Sequence, residues 1–215
     1  MMRTYIFYMV TGFLAGSIPF SLLLPKLFYQ IDIRENSRDG NPGSANAMKQ
    51  AGVALGLVCM LCDVGKGFLP VYSSTRCLSA DRLWFSFILL APVLGHAFSP
   101  FLKGRGGKAI AVTFGVLLGV FSIYKIVLIL AVVLIVFTFF FQIQPTHIRI
   151  ILGMLLLCGA VALFYGAVPV TFGVGMISAV VILRQLMDKT FSPAEFRIRS
   201  CIGLLRDFRK KKAED

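Results

Sequence analysis

Lys108 follows Gly106 and Gly107 in the segment GRGGKAIAVTFG (Gly104–Gly115), with Lys103 and Arg105 just upstream. Glycine-rich backbone can turn amide N–H groups toward one point, where an anion gains further from a nearby ammonium and a following helix N-terminus. A second segment, RDGNPGSANAMKQAG (Arg38–Gly52), sets Gly40, Asn41, Gly43, Ser44 and Asn46 behind Arg38. Both patterns fit either an anion-binding loop with amides as donors, or an ordinary flexible interhelical loop whose charges, Arg38, Lys103, Arg105 and Lys108, mark the cytoplasmic side. The first is not a nucleotide-hydrolysing loop. Ala109 stands where a magnesium-binding hydroxyl would follow the lysine, and no buried strand precedes it. Asp63 and Lys66 lie inside an apolar stretch at a spacing of three, which puts them on one helix face as a neutralising pair or as part of a site. His96 sits near the end of another apolar stretch, and His147 falls in a short polar loop. Cys59 and Cys62 form a C-x-x-C without accompanying ligands and read as small apolar residues. Neither a metal nor a cofactor is expected.

The elements that must carry these groups are membrane helices. The chain has 215 residues, 57% hydrophobic and 15% charged, with a mean hydropathy of +0.82. That is too apolar for a soluble core with a polar skin. A helix crosses the hydrocarbon with about 20 apolar residues, and the charge-poor stretches predict seven spans, near 4–28, 51–73, 83–102, 109–123, 126–142, 150–165 and 169–187. Gly166 and Pro169 divide the last long stretch into two. The fourth, fifth and sixth spans are short, reaching about 24 Å. Gly12 with Gly16, and Gly115 with Gly119, have the spacing of close helix packing. No internal repeat is visible.

Lys and Arg set orientation. With the N-terminus outside, Arg3, Arg76, Arg82 and Lys125 face out, while 17 of the 22 basic residues face the cytoplasm. The net charge of +12 then meets anionic lipid and anionic metabolites rather than nucleic acid. The expected organisation is a seven-span membrane domain over residues 1–190 and a basic amphipathic cytoplasmic tail over 191–215 lying on the inner leaflet. No cleavable signal peptide is expected, and the sequence leaves oligomeric state open. Three cytoplasmic segments must hold the chemistry: Tyr29–Gln50, Lys103–Lys108 and the chain after Leu186.

Four blocks carry a family resemblance: GSIPFSLLLPKLF (Gly16–Phe28), IDIRENSRDGNPGSANAMKQAG (Ile31–Gly52), DVGKGFLPV (Asp63–Val71) and LGHAFSPFLKGRGGKAIAVTFGVLLG (Leu94–Gly119). In order and spacing they resemble the bacterial acyl-phosphate-dependent glycerol-3-phosphate acyltransferase family. The resemblance implies an all-α enzyme of the bacterial plasma membrane that moves a fatty acyl group from acyl phosphate to the 1-hydroxyl of glycerol 3-phosphate, giving lysophosphatidic acid and phosphate. On that reading Lys108, Asn41, Asn46 and His96 are catalytic. Gly40, Gly43, Ser44, Arg38, Lys103, Arg105, Gly106, Gly107, Asp63 and Lys66 bind substrate. The amides of Gly106 and Gly107 join Lys108 on one phosphate.

The chain also departs from the family pattern. The family's first loop reads G-S-G-N-x-G-A-T-N, so Asp39 replaces a serine and Ala45 a threonine. A carboxylate about 5 Å from a phosphate charge costs roughly 3 kcal/mol at an effective dielectric near 20, which Arg38 or Arg105 would have to offset. The family's third motif, a histidine and an asparagine before an arginine, has no counterpart after Leu183, where Arg184, Gln185 and Arg197 are the available substitutes. A homologue that binds acyl or phosphate ligands without turnover and a small-anion transporter are the alternatives, the latter disfavoured by the missing internal symmetry.

Overall fold

The structure is a computed structural model that describes residues 2–166 and 168–191. The predicted basic tail, including Arg197, lies outside the described residues apart from Phe191. Among the described residues the chain is all-helical: α1 (Met2–Ser17), α2 (Phe20–Tyr29), α3 (Ser44–Ala51), α4 (Val53–Thr75), α5 (Trp84–Ala97), α6 (Ile110–Gly119), α7 (Ile126–Ile135), α8 (Thr146–Tyr165) and α9 (Pro169–Leu186). A 3₁₀ turn, Pro100–Leu102, extends α5, and a π-helical turn, Val136–Phe140, extends α7.

Five helical segments are long and apolar enough to cross a membrane: Met2–Tyr29, Val53–Thr75, Trp84–Leu102, Thr146–Tyr165 and Pro169–Leu186. Two shorter apolar helices, Ile110–Gly119 and Ile126–Phe140, complete the bundle. The sixth expected span is not short, because α8 begins before Arg149 and runs for 20 residues, about 30 Å. The fourth is shorter than expected, since α6 has only 10 residues, about 15 Å. The chain around it is taken up by the left-handed Ala109 on one side and by turns after Val120 on the other.

Large apolar side chains point outward, as on Leu27, Leu163 and Phe164, which are 73%, 80% and 72% exposed. A soluble protein would bury such residues, whereas hydrocarbon solvates them. With no hydrophobic force between helices in lipid, close backbone packing holds the bundle together. The paired glycines supply it. A Cβ on Gly16 would overlap the Pro92 backbone, and one on Gly95 the Phe13 carbonyl, which seats α1 against α5. Gly67 against the Val112 carbonyl and Gly115 against the Val64 carbonyl do the same for α4 and α6. α5 lies innermost, with Phe85, Ile88, Leu89 and Val93 fully buried.

The turns separate into two ends. At one, the Tyr5 hydroxyl donates to the Ser79 carbonyl (2.9 Å) and Tyr124 meets Tyr165 edge to face at 5.4 Å. At the other lie the start of α4, the ends of α2, α5 and α9, and the start of α6. The three polar segments expected to hold the chemistry meet there.

Candidate functional site

A buried cluster fixes the floor of this end. The first span breaks at Ile18–Pro19, since proline has no N–H to continue a helix, and the break leaves backbone carbonyls unpaired inside the bundle. Lys66 of α4 answers it by donating to the Ile18 carbonyl at 2.6 Å. Its ammonium also lies 2.7 Å from Asp63 Oδ1, and Ser21 of α2 donates to Asp63 Oδ2 at 2.6 Å. His96 Nδ1 stands 3.9 Å from the same carboxylate. Ser21, Asp63, Lys66 and His96 are all buried. Asp63 and Lys66 thus tie α1, α2 and α4 together beneath the polar surface. A cavity of about 10 Å³ is lined in part by Ser17, Lys66, His96, Ser99 and Gly107.

The glycine loop after α5 rests on this floor. The Gly106 amide donates to the Ala97 carbonyl (3.2 Å) and the Gly107 amide to the His96 carbonyl (3.1 Å). A Cβ on Gly106 would overlap those carbonyls, and one on Gly107 would meet the His96 imidazole. Both amides are therefore consumed inside the fold and do not face an anion. The carbonyls of Gly106 and Gly107 point the other way, onto Arg184 of α9, whose Nη2 and Nε donate to them at 2.5 and 3.3 Å. His96 acts here as a support beneath the loop.

The loop between α2 and α3 is organised around Asp39. Its Oδ1 accepts from the Asn41 amide at 3.2 Å and from Asn46 Nδ2 at 2.9 Å. Asn46 Nδ2 also donates to the Asn41 carbonyl at 2.9 Å, closing a tight polar turn. Gly40, at φ +61°, takes the left-handed conformation that this turn requires. Arg34 grips Asp32 through both Nε (2.9 Å) and Nη2 (2.5 Å). The Arg34 guanidinium holds the Asp32 carboxyl down to about 2.

Lys108 is where the loops meet. Its ammonium lies 2.8 Å from Asp39 Oδ2 and contacts Asp188 Oδ2 just beyond α9. Asp188 Oδ1 accepts from the Thr190 amide (2.8 Å) and hydroxyl (2.7 Å). Burial alone would raise both carboxyls, but the hydrogen bonds from Lys108 and from Asn46 or Thr190 outweigh it and hold each below the usual carboxylate range. The charge that offsets Asp39 is thus Lys108, not Arg38 or Arg105. His147, in the first turn of α8, is buried against this corner, with Nε2 3.2 Å from the Thr190 hydroxyl and Nδ1 3.8 Å from Asp188 Oδ2.

Above Lys108 opens a cleft of about 1040 Å³, lined among others by Asn41, Lys103, Arg105, Lys108, Arg184 and Asp188. Of the residues expected at the site, Gly40, Asn41, Lys103, Arg105, Gly106 and Lys108 line it, and Asn46 braces Asp39 from behind. Gly43, Ser44, Arg38, Gly107, His96, Asp63 and Lys66 do not border it. Sequence reading passed over Asp32, Arg34, Asp188 and Lys189. Asp188 did carry a signal: an acidic residue just past a helix C-terminus opposes the helix dipole and needs a cation to hold it there. Among the described residues, no group of three or more His, Cys, Asp or Glu could hold a metal.

The chain matches the family model described as glycerol-3-phosphate acyltransferase over residues 6–189. A glycerol-3-phosphate acyltransferase of Thermotoga petrophila is 43% identical over 108 residues, covering 50% of this chain and 54% of the relative. One of Maridesulfovibrio salexigens is 38% identical over 133 residues, covering 60% of this chain and 67% of the relative. The alignment thus spans about half the length of the Thermotoga relative. The crystal structure of PlsY, an integral membrane glycerol 3-phosphate acyltransferase, in its glycerol 3-phosphate form superposes with a TM-score of 0.75 at 26% identity, over 85% of this chain and 88% of that one. Its lysophosphatidic acid form gives 0.71 at 25% identity, over 84% and 87%. With its family match running through all nine helices among the described residues, the chain belongs to the glycerol-3-phosphate acyltransferase family.

Proposed function

We propose that the protein transfers a fatty acyl group from acyl phosphate to the 1-hydroxyl of glycerol 3-phosphate at the inner face of a bacterial plasma membrane. The observation that carries this reading is the convergence of three segments far apart in sequence on Lys108, at one end of an apolar bundle. Lys108, Lys103 and Arg105 provide the cations for two phosphate-bearing substrates, and Asn41 the polar contacts beside them. The cleft opens where a lipid tail can remain among the helices.

In this scheme the chain crosses the bilayer seven times, the short α6 together with the chain on either side of it, the N-terminus lies outside, and the cleft faces the cytoplasm. The excess of Lys and Arg at that end supports this orientation. Acyl phosphate is an activated mixed anhydride, so orientation and charge neutralisation supply the rate without an enzyme nucleophile. The acceptor oxygen forms a bond to the acyl carbonyl carbon, the bond from that carbon to the phosphate oxygen breaks, and a substrate phosphate oxygen takes the hydroxyl proton. Orthophosphate and lysophosphatidic acid leave. Lysine and arginine neutralise the developing charge, with no metal in the scheme.

One observation favours a second reading, a homologue that binds phosphate without turnover: Lys108 is already engaged by Asp39 and Asp188. Purified protein in detergent micelles, given palmitoyl phosphate and glycerol 3-phosphate, decides between them. Equal amounts of orthophosphate and lysophosphatidic acid are expected. Orthophosphate binding by folded protein without either product would establish the second reading instead.

A further inference from the structure

The carboxylates on Lys108 are held in the same way from opposite sides. Asp39 keeps Oδ1 in its own loop, on the Asn41 amide and Asn46 Nδ2, and presents Oδ2 to the ammonium. Asp188 keeps Oδ1 on the Thr190 amide and hydroxyl and likewise presents Oδ2. Neither is a surface side chain that happened to find a partner. Each is fixed by two hydrogen bonds that do not involve Lys108, so the pair of oxygens stands preformed around the ammonium.

Two negative oxygens converging on one lysine reproduce what two oxygens of a phosphate would offer it. An ammonium has three donors, and fixed carboxylates occupy two of them. A phosphate entering the cleft must dislodge a carboxylate or lie beside two anchored negative charges, and both courses weaken its binding. Resting on the reading that Lys108 receives a substrate phosphate, we propose that Asp39 and Asp188 are built-in competitors for Lys108. They lower affinity for the phosphate ligand. Both are positioning residues, acting through the lysine.

The test uses the full chain in detergent micelles, as wild type, Asp39→Ser and Asp188→Asn, with glycerol 3-phosphate and orthophosphate as separate calorimetric probes. Each variant is expected to bind both probes at least about tenfold more tightly, the scale of one screened charge contact. KM for glycerol 3-phosphate falls in step, and by more than kcat changes. Adding Lys108→Met to either variant should erase the gain. Unchanged or weaker binding in either folded variant would overturn the proposal, as would a gain that survives Lys108→Met. If no protein forms lysophosphatidic acid yet both variants tighten on orthophosphate, the competition stands and the acyltransferase reading falls.

Discussion

The molecule contains two lysine–carboxylate clusters that differ in kind. Lys66 and Asp63 lie three residues apart on one helix, are about 2% exposed at their side chains, and balance one charge with one. Lys108 draws Asp39 and Asp188 from 69 and 80 residues away, is 19% exposed, and faces more negative charge than it carries. A buried, locally balanced pair has nowhere to exchange partners, so its work is to hold the α1–α2 break against α4. A half-open, overmatched lysine at the mouth of a cleft can trade a carboxylate for a ligand. Burial and charge balance, more than the presence of an ion pair, separate scaffold from site.

Substitutions at the two clusters should therefore diverge. Asp63→Leu leaves an uncompensated ammonium inside the bundle and should cost about 3–5 kcal/mol of stability. The counterpart Asp39→Ser should cost under about 1 kcal/mol. Unfolding of both variants in micelles, followed by helical circular dichroism, compares them, and equal losses would erase the distinction drawn here.

Arg184 sharpens the site side of the contrast, since it touches the glycine loop without pairing to a carboxylate. Arg184→Ala frees the carbonyls of Gly106 and Gly107 and should lower kcat about 100-fold with little change in melting temperature, the loss expected when a supporting contact holds catalytic geometry. Steady-state kinetics beside a melt reads both.

Acid gives the smallest effect. Asp39 and Asp188 have folded pKa values below the ordinary range, so their stabilising contribution is complete above the unfolded value near 3.8 and is lost as pH falls below it. Asp32, held at about 2, keeps its partner Arg34 to lower pH still. Melting temperature should slip by a few degrees between pH 5 and pH 3, a change worth about 1 kcal/mol. Asp39→Ser and Asp188→Asn together should flatten that limb, and an unaltered limb would reassign it to other carboxylates.

Much of this was legible in the chain itself. Apolar run lengths located the apolar helical segments to within a few residues, because a hydrocarbon solvent constrains segment length and composition together, but they did not show the break between α1 and α2 or the short polar helix α3, where a loop was expected. Gly166 and Pro169 marked the break before α9 for the same reason. Gly12, Gly16, Gly115 and Gly119 announced close contacts that α1, α4, α5 and α6 make. The direction of individual amides was not legible. Gly106 and Gly107 look like a phosphate cradle by composition, yet the carbonyls of His96 and Ala97 claim their N–H groups. Nor could spacing reveal that Asp188 and His147 share a corner with Lys108. Such meetings depend on how α8 and α9 pack, which no local pattern encodes.

Lysophosphatidic acid formed from palmitoyl phosphate and glycerol 3-phosphate, quantified for wild type and Lys108→Ala under identical conditions, tests the account at its centre. The account predicts steady product from the wild type and a loss of at least about 1000-fold in the variant, with its melting temperature retained. Comparable product from folded Lys108→Ala would contradict it.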